Sequence, residues 1–151
     1  MEAKEKVVLT NMCMIYDDNG NILVQDKIGT DWGGVTFPGG HIEPDESFND
    51  SVVREIKEET GLDIKHPRLC GIKHWKWKKR CRYIVLFYKT NEFSGKLRSS
   101  DEGKVFWIKK EELNQYKLAD GFDDMFRIFD DDSLNEFMSI KENGEWNRYI
   151  Y

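Results

Sequence analysis

Residues 40–62 read GHIEPDESFNDSVVREIKEETGL. From Glu46 to Thr60 the stretch predicts a helix. Asp45, just after Pro44, is a good N-cap, and Phe48, Val52, Val53 and Ile56 fall on one apolar stripe at helical spacing. Gly61 sits where a C′ glycine ends a helix. Glu55, Glu58 and Glu59 stand at i, i+3 and i+4, so they are neighbours on one face and repel one another. A divalent cation would remove that cost, and hard carboxylate oxygens on a rigid element suit Mg²⁺ or Mn²⁺. The plainer reading is a solvated acidic face. Three surrounding features favour the metal: Arg54 lies between these acids and Glu46 and can orient a carboxylate. Gly39 and Gly40 let backbone approach a metal or phosphate closely. Asp101-Glu102 offers a further acid from elsewhere in the chain.

Outward from this stretch, Val7–Tyr16 is apolar and β-branched enough for a strand. Asp17-Asp18-Asn19-Gly20 is a hairpin turn, and Ile22–Gln25 returns as a second strand. Residues 29–34 are expected to form a loop and Val35–Phe37 a short strand ending at Pro38-Gly39-Gly40. Strands are also expected at Arg68–His74, Arg82–Thr90 and Lys104–Ile108, with a helical turn at Glu111–Gln115. Gly121–Phe129 reads as a second helix with Phe122, Met125, Phe126 and Phe129 on one side, and Asn143-Gly144 marks a late hairpin or turn. The order of elements predicts an α+β protein, a mixed sheet with helices packed against it.

The chain has 151 residues, 39% hydrophobic and 13% aromatic. That length suits one domain over residues 1–151 and is enough for a packed core. No apolar run approaches the ~20 residues that span a bilayer, and the polar start, Met1–Lys6, holds no signal-peptide core, so a cytoplasmic location is the expectation. Cys13, Cys70 and Cys81 form no CxxC and are expected as free or buried thiols. His41, His66 and His74 show no metal-ligand spacing. The net charge of −5 argues against a general nucleic-acid binder.

Gly40, Glu46, Arg54, Glu55, Ile56, Glu58, Glu59, Gly61 and Leu62 match the Nudix box at every position, and the chain resembles the Nudix hydrolase family. Seven fixed identities make a chance match on the order of one in a hundred million per start position. Weaker likeness runs through Phe37-Pro38-Gly39-Gly40 and from Glu102 to Trp107-Ile108. The resemblance implies an αβα sandwich, a mixed sheet with helices on both sides and a loop–helix–loop catalytic motif. It implies that Glu55, Glu58 and Glu59 bind Mg²⁺ (or Mn²⁺), that the Gly39 carbonyl adds a ligand, and that Glu46 and Arg54 brace the motif. Glu102 would be a further ligand or help activate water, and either Glu55 or Glu102 would take the water's proton. The reaction implied is hydrolysis of a phosphoanhydride, with charge neutralised on the phosphoryl oxygens and water held in line.

The substrate has to be read from outside the box. The overall pattern is similar to MutT-type 8-oxo-dGTP diphosphatases, so an oxidised purine nucleoside triphosphate is the first expectation. Phe37 is a candidate to stack on the base, with a core aromatic as the plainer reading. Asn11 could bond a base edge. Asp120, followed by Asp123, could accept the N7–H of an oxidised guanine, or Asp120 could cap a helix. Residues 73–82 (KHWKWKKRCR) carry six Lys or Arg among aromatics. They could steer polyphosphate, contact an RNA 5′ end, or form a solvated hairpin loop. The expected partner is a small nucleotide, with no membrane, and a monomer or homodimer. Two rival readings are a Nudix hydrolase of another nucleotide or an RNA 5′ end, and a non-catalytic nucleotide sensor on the same fold.

Overall fold

The computed structural model describes residues 3–27 and 33–151. Ten strands and two helices follow in the order β1 (Lys6–Ile15), β2 (Asn21–Lys27), β3 (Gly34–Thr36), α1 (Phe48–Thr60), β4 (Asp63–Lys65), β5 (Arg68–Lys78), β6 (Cys81–Thr90), β7 (Glu92–Ser94), β8 (Gly103–Lys109), α2 (Phe122–Asp130), β9 (Glu136–Glu142) and β10 (Glu145–Ile150), with a short 3₁₀ turn at Lys110–Gln115. Most of the loop expected at residues 29–34 lies outside the described residues.

The main sheet has the order β1-β6-β5-β9-β10. β1 runs parallel to β6 and β5 parallel to β9, while β5–β6 and β9–β10 are antiparallel. The sheet is therefore mixed. A second sheet, β3-β2-β8, is antiparallel throughout. Side chains alternate across each strand, and the alternation divides the core in two. Val52 and Ile56 of α1 pack with Cys13, Ile15, Leu23, Leu86 and Val105 on one face. Phe122, Met125, Ile128 and Phe129 of α2 pack with Met14, Val24, Phe37, Val85 and Phe87 on the other. This is the αβα sandwich.

α1 begins two residues later than the spacing of apolar residues predicts. Its N-cap is Ser47, whose hydroxyl accepts from Asp50 N at 2.9 Å. Asp45 is not the cap, for its backbone is left-handed at φ 65°. Glu46 lies before the helix, and Phe48 is 46% exposed, outside the buried stripe. The other end follows the prediction: Gly61 is left-handed (φ 78°) and its N–H returns to Lys57 O. Residues 73–82 are not a loop. β5 extends to Lys78, Lys79-Arg80 form the turn, and β6 starts at Cys81. The Asn143-Gly144 turn closes the β9–β10 hairpin. No helix among the described residues is long and apolar enough to cross a membrane, and all three cysteines are free.

Candidate active site

The segment from Pro38 to Ile42 is hydrogen-bonded along the edge of β1. Asn11 N donates to Gly40 O at 2.8 Å, Cys13 N to Pro38 O at 2.9 Å and Ile42 N to Leu9 O at 3.0 Å. Backbone packs so closely here that side chains have no room. A Cβ on Gly39 would strike the Asn11 carbonyl, and one on Gly40 would strike the Glu55 carboxylate. Gly39 is thus required by the approach of the β1 backbone, whereas a side chain at Gly40 would displace the Glu55 carboxylate.

Asn11 fastens this segment to the helix. Its Nδ2 donates to Ser51 Oγ at 3.0 Å and its Oδ1 accepts from Gly40 N at 3.1 Å. Both ends of the buried amide are therefore engaged within the protein, which takes Asn11 out of the base-reading role. Asn11→Ala should cost about 2 kcal/mol, because it strands two buried polar groups. Chemical denaturation should show that loss while the order of preference among nucleotides stays the same. A changed order with unchanged stability would return Asn11 to the base.

Arg54 is the hub of the acid cluster. Its Nε and Nη2 fork onto Glu46 at 2.7 and 2.9 Å, and Nη1 reaches Glu55 at 3.0 Å and Glu58 at 3.3 Å. Nη2 also donates to the His41 carbonyl at 3.1 Å. This one guanidinium ties helix, loop and acids together, and bidentate geometry makes the Glu46 pair strong. The Arg54 fork and the Glu43 amide hold Glu46 down at about 2. Glu55, wedged beside Gly40, is raised by desolvation, an effect that Arg54 partly offsets.

Glu59 is 2% exposed. Its Oε2 accepts from Gly39 N at 2.9 Å, and the Glu102 carboxyl, from the turn before β8, lies beside it. Burial, then the Glu102 contact, raises Glu59 well above the usual carboxylate range, while the same contact lowers Glu102. The second oxygen of Glu59, Oε1, is buried with no partner.

A hard divalent cation fits this arrangement. The donors are all oxygens, Glu59 Oε1 among them is buried without a partner, and the clustered carboxylates repel one another until a cation neutralises them. As the side chains stand, no three acidic, histidine or cysteine groups among the described residues converge into a finished coordination shell. Glu55 and Glu58 are instead engaged by Arg54. Glu58 is 58% exposed at its side chain and free to swing.

The structure therefore brings together Glu46, Arg54, Glu55, Glu58, Glu59, Gly39 and Glu102. It does not bring Phe37, Asp120 and Asp123 to them as a base pocket. Phe37 is 1% exposed, with its ring edge-on to Phe122 and Phe129 at 4.9 Å each. It is a core residue, because Val35 and Phe37 share the strand face that α2 covers. Asp120 neither caps α2, whose N-cap is Gly121, nor stands free, since Arg148 binds it at 2.9 Å. Asp123 is exposed on the first turn of α2. Sequence reading passed over His41, whose ring meets Tyr83 at 6.4 Å between centroids, and only its place directly after Gly40 could have signalled it.

A mixed-sheet αβα sandwich thus carries a glycine-bounded loop, one acid-bearing helix and a bracing arginine at a single site. Residues 7–130 match the NUDIX domain, and the chain belongs to that family. It is 28% identical over 115 residues to the CTP pyrophosphohydrolase of Escherichia coli, covering 76% of this chain and 84% of that one. It is 29% identical over 114 residues to the uncharacterized Nudix hydrolase YvcI of Bacillus subtilis, covering 72% and 70%. Its fold is similar to the mutator MutT protein of Bacillus halodurans, with a TM-score of 0.78 and 25% identity over 95% of this chain and 97% of that one.

Proposed function

We propose that this Nudix hydrolase cuts a nucleoside triphosphate to the monophosphate and pyrophosphate, with Mg²⁺ as cofactor and an oxidised purine nucleotide such as 8-oxo-dGTP as its substrate. The observation that carries the reaction class is the meeting of Glu55 and Glu59 with the Gly39-Gly40 backbone, with Arg54 bracing Glu55. Glu55, Glu58 and Glu59 would hold the metal, with the Gly39 carbonyl and Glu102 as further donors. Mn²⁺ would serve in the same oxygen set. When bound, the metal neutralises phosphoryl oxygens and makes its water more acidic. Arg54 holds Glu55 in one rotamer, and Glu46 holds Arg54. Glu55, half enclosed against Gly40, is better placed than the rim residue Glu102 to take the proton of the attacking water.

The likeness to MutT over nearly the whole chain supports an oxidised purine. A second reading, CTP, is supported by the likeness to the E. coli CTP pyrophosphohydrolase. Hydrolysis of 8-oxo-dGTP, dGTP, CTP and dATP with Mg²⁺, followed by release of pyrophosphate, tests both. The expected result is a kcat/KM for 8-oxo-dGTP at least about tenfold above dGTP, the discrimination that one paired donor supports. An 8-oxo-dGTP rate no higher than dGTP, with CTP fastest, would replace the first reading with the second. No release from any of them would remove both.

A further inference from the structure

Lys73 lies on the strand face that α2 covers, opposite Val85 of β6 and Phe137 of β9. Its Nζ is 5.2 Å from the ring centroids of both Trp75 and Phe137. It is half-buried, and desolvation lowers it to about 8, with Arg148 adding in the same direction and Asp120 opposing. Asp120 itself is bound by Arg148. No ion pair or hydrogen bond with another protein group engages Lys73 among the described residues, and its ammonium is not among the fully buried unpartnered atoms. The half-buried ammonium is thus held against two ring faces with no carboxylate bonded to it, and a ligand oxygen can reach it from the solvent side.

The position of this group gives it a use. Trp75, two residues along β5, stacks on Tyr83 at 4.4 Å, and the Tyr83 hydroxyl is 3.5 Å from His41 Nε2. His41 follows Gly40 in the loop that faces the acid cluster. An aromatic path thus leads from the catalytic loop to Lys73, with the Asp120–Arg148 pair beside it.

The geometry points to Lys73 as the base-reading donor of this enzyme: its ammonium bonds a ring carbonyl oxygen of a nucleobase lying along Trp75 and Tyr83. The ligand class is a base with an exocyclic carbonyl, which includes guanine, its 8-oxo form, cytosine and uracil. Adenine, which has none, is selected against. This inference rests on the nucleotide reading above and narrows it.

Lys73→Met keeps the length of the side chain and removes the donor. The expected result is a fall in kcat/KM of about tenfold or more for dGTP and CTP, with dATP within about threefold of its original value. Thermal stability should hold or rise, because an apolar chain replaces a half-buried cation that has no ion pair. Lys73→Gln, which retains N–H donors, should recover part of the preference. A parallel change for all three nucleotides, or none, would overturn the assignment. If the wild-type protein releases pyrophosphate from no triphosphate, the nucleotide reading fails by itself. Calorimetric binding of GMP, CMP and AMP then decides on Lys73. Tighter GMP and CMP binding that is lost in Lys73→Met supports the inference. Equal binding of the three, absence of binding, or an unchanged preference in the variant overturns it.

Discussion

Glu58→Gln should lower Mg²⁺-dependent kcat by about a thousandfold, some 4 kcal/mol of lost transition-state stabilisation, while the protein melts close to its original temperature. Among the three helix acids, Glu58 makes the cleanest test. Glu59 is buried and anchors Gly39, and Glu55 is packed against Gly40, so changing either would disturb the loop as well as the chemistry. Glu58 is the exposed member, tied only to Arg54 in an i,i+4 pair at 3.3 Å. Pairs of that kind contribute only about 0.3–0.5 kcal/mol. Removing its charge also relieves repulsion from Glu55. Steady-state rates against Mg²⁺ concentration, with a melting curve beside them, give both readouts. Near-normal turnover at saturating metal would refute the role of Glu58, and with it the view that this helix face exists to hold cations.

Phe37→Ala should behave in the opposite way, with a large loss of stability and no change in the order of nucleotide preference. The ring fills the space between Phe122 and Phe129, whose centroids are each 4.9 Å away. Truncating a buried aromatic costs about 3–5 kcal/mol. In a chain of this size that corresponds to a fall in melting temperature of roughly 10 °C. Phe37→Leu should recover much of it. A Phe37→Ala protein that melts normally but binds purine nucleotides poorly would show that the ring stacks on a base after all.

The legible and illegible parts of the molecule separate along a physical line. α1 could be read because its period, its acids and Gly61 all act within a few residues of one another. Its first turn was misplaced because Asp45 is set in a left-handed conformation and Glu46 is drawn to Arg54, eight residues on. Nothing in local propensity reports either fact. The β9–β10 hairpin was visible only as Asn143-Gly144. Its strands carry so many charged residues that no apolar alternation marks them. β4 and β7 are three-residue strands that exist because they pair with each other, a contact that local sequence does not encode.

The same line runs through the site. The carboxylates were legible because they sit on a single helix. The residues expected to face the base were not, because strand alternation says that Phe37 and Thr36 point to opposite sides without saying which side α2 covers. Asn11 was read as a residue for a base edge because its partners, Ser51 and Gly40, are 40 and 29 positions away. Lys73 was legible only as part of a basic run. That it alone of the run turns inward between two rings depends on the sheet.

The segment carrying Gly39 and Gly40 is laced to β1 by main-chain bonds on alternate residues, so it is fixed as firmly as any strand. A hydrolase built this way has its cutting edge welded to its frame and cannot retune that edge to suit a new leaving group. Adaptation has to happen at the far end, where the β5–β6 and β9–β10 hairpins carry Trp75, Lys73 and Arg148 toward the loop before α2. If Lys73 reads the base as proposed, changes there would redirect the enzyme from one base to another while the machinery that breaks the anhydride stays as it is.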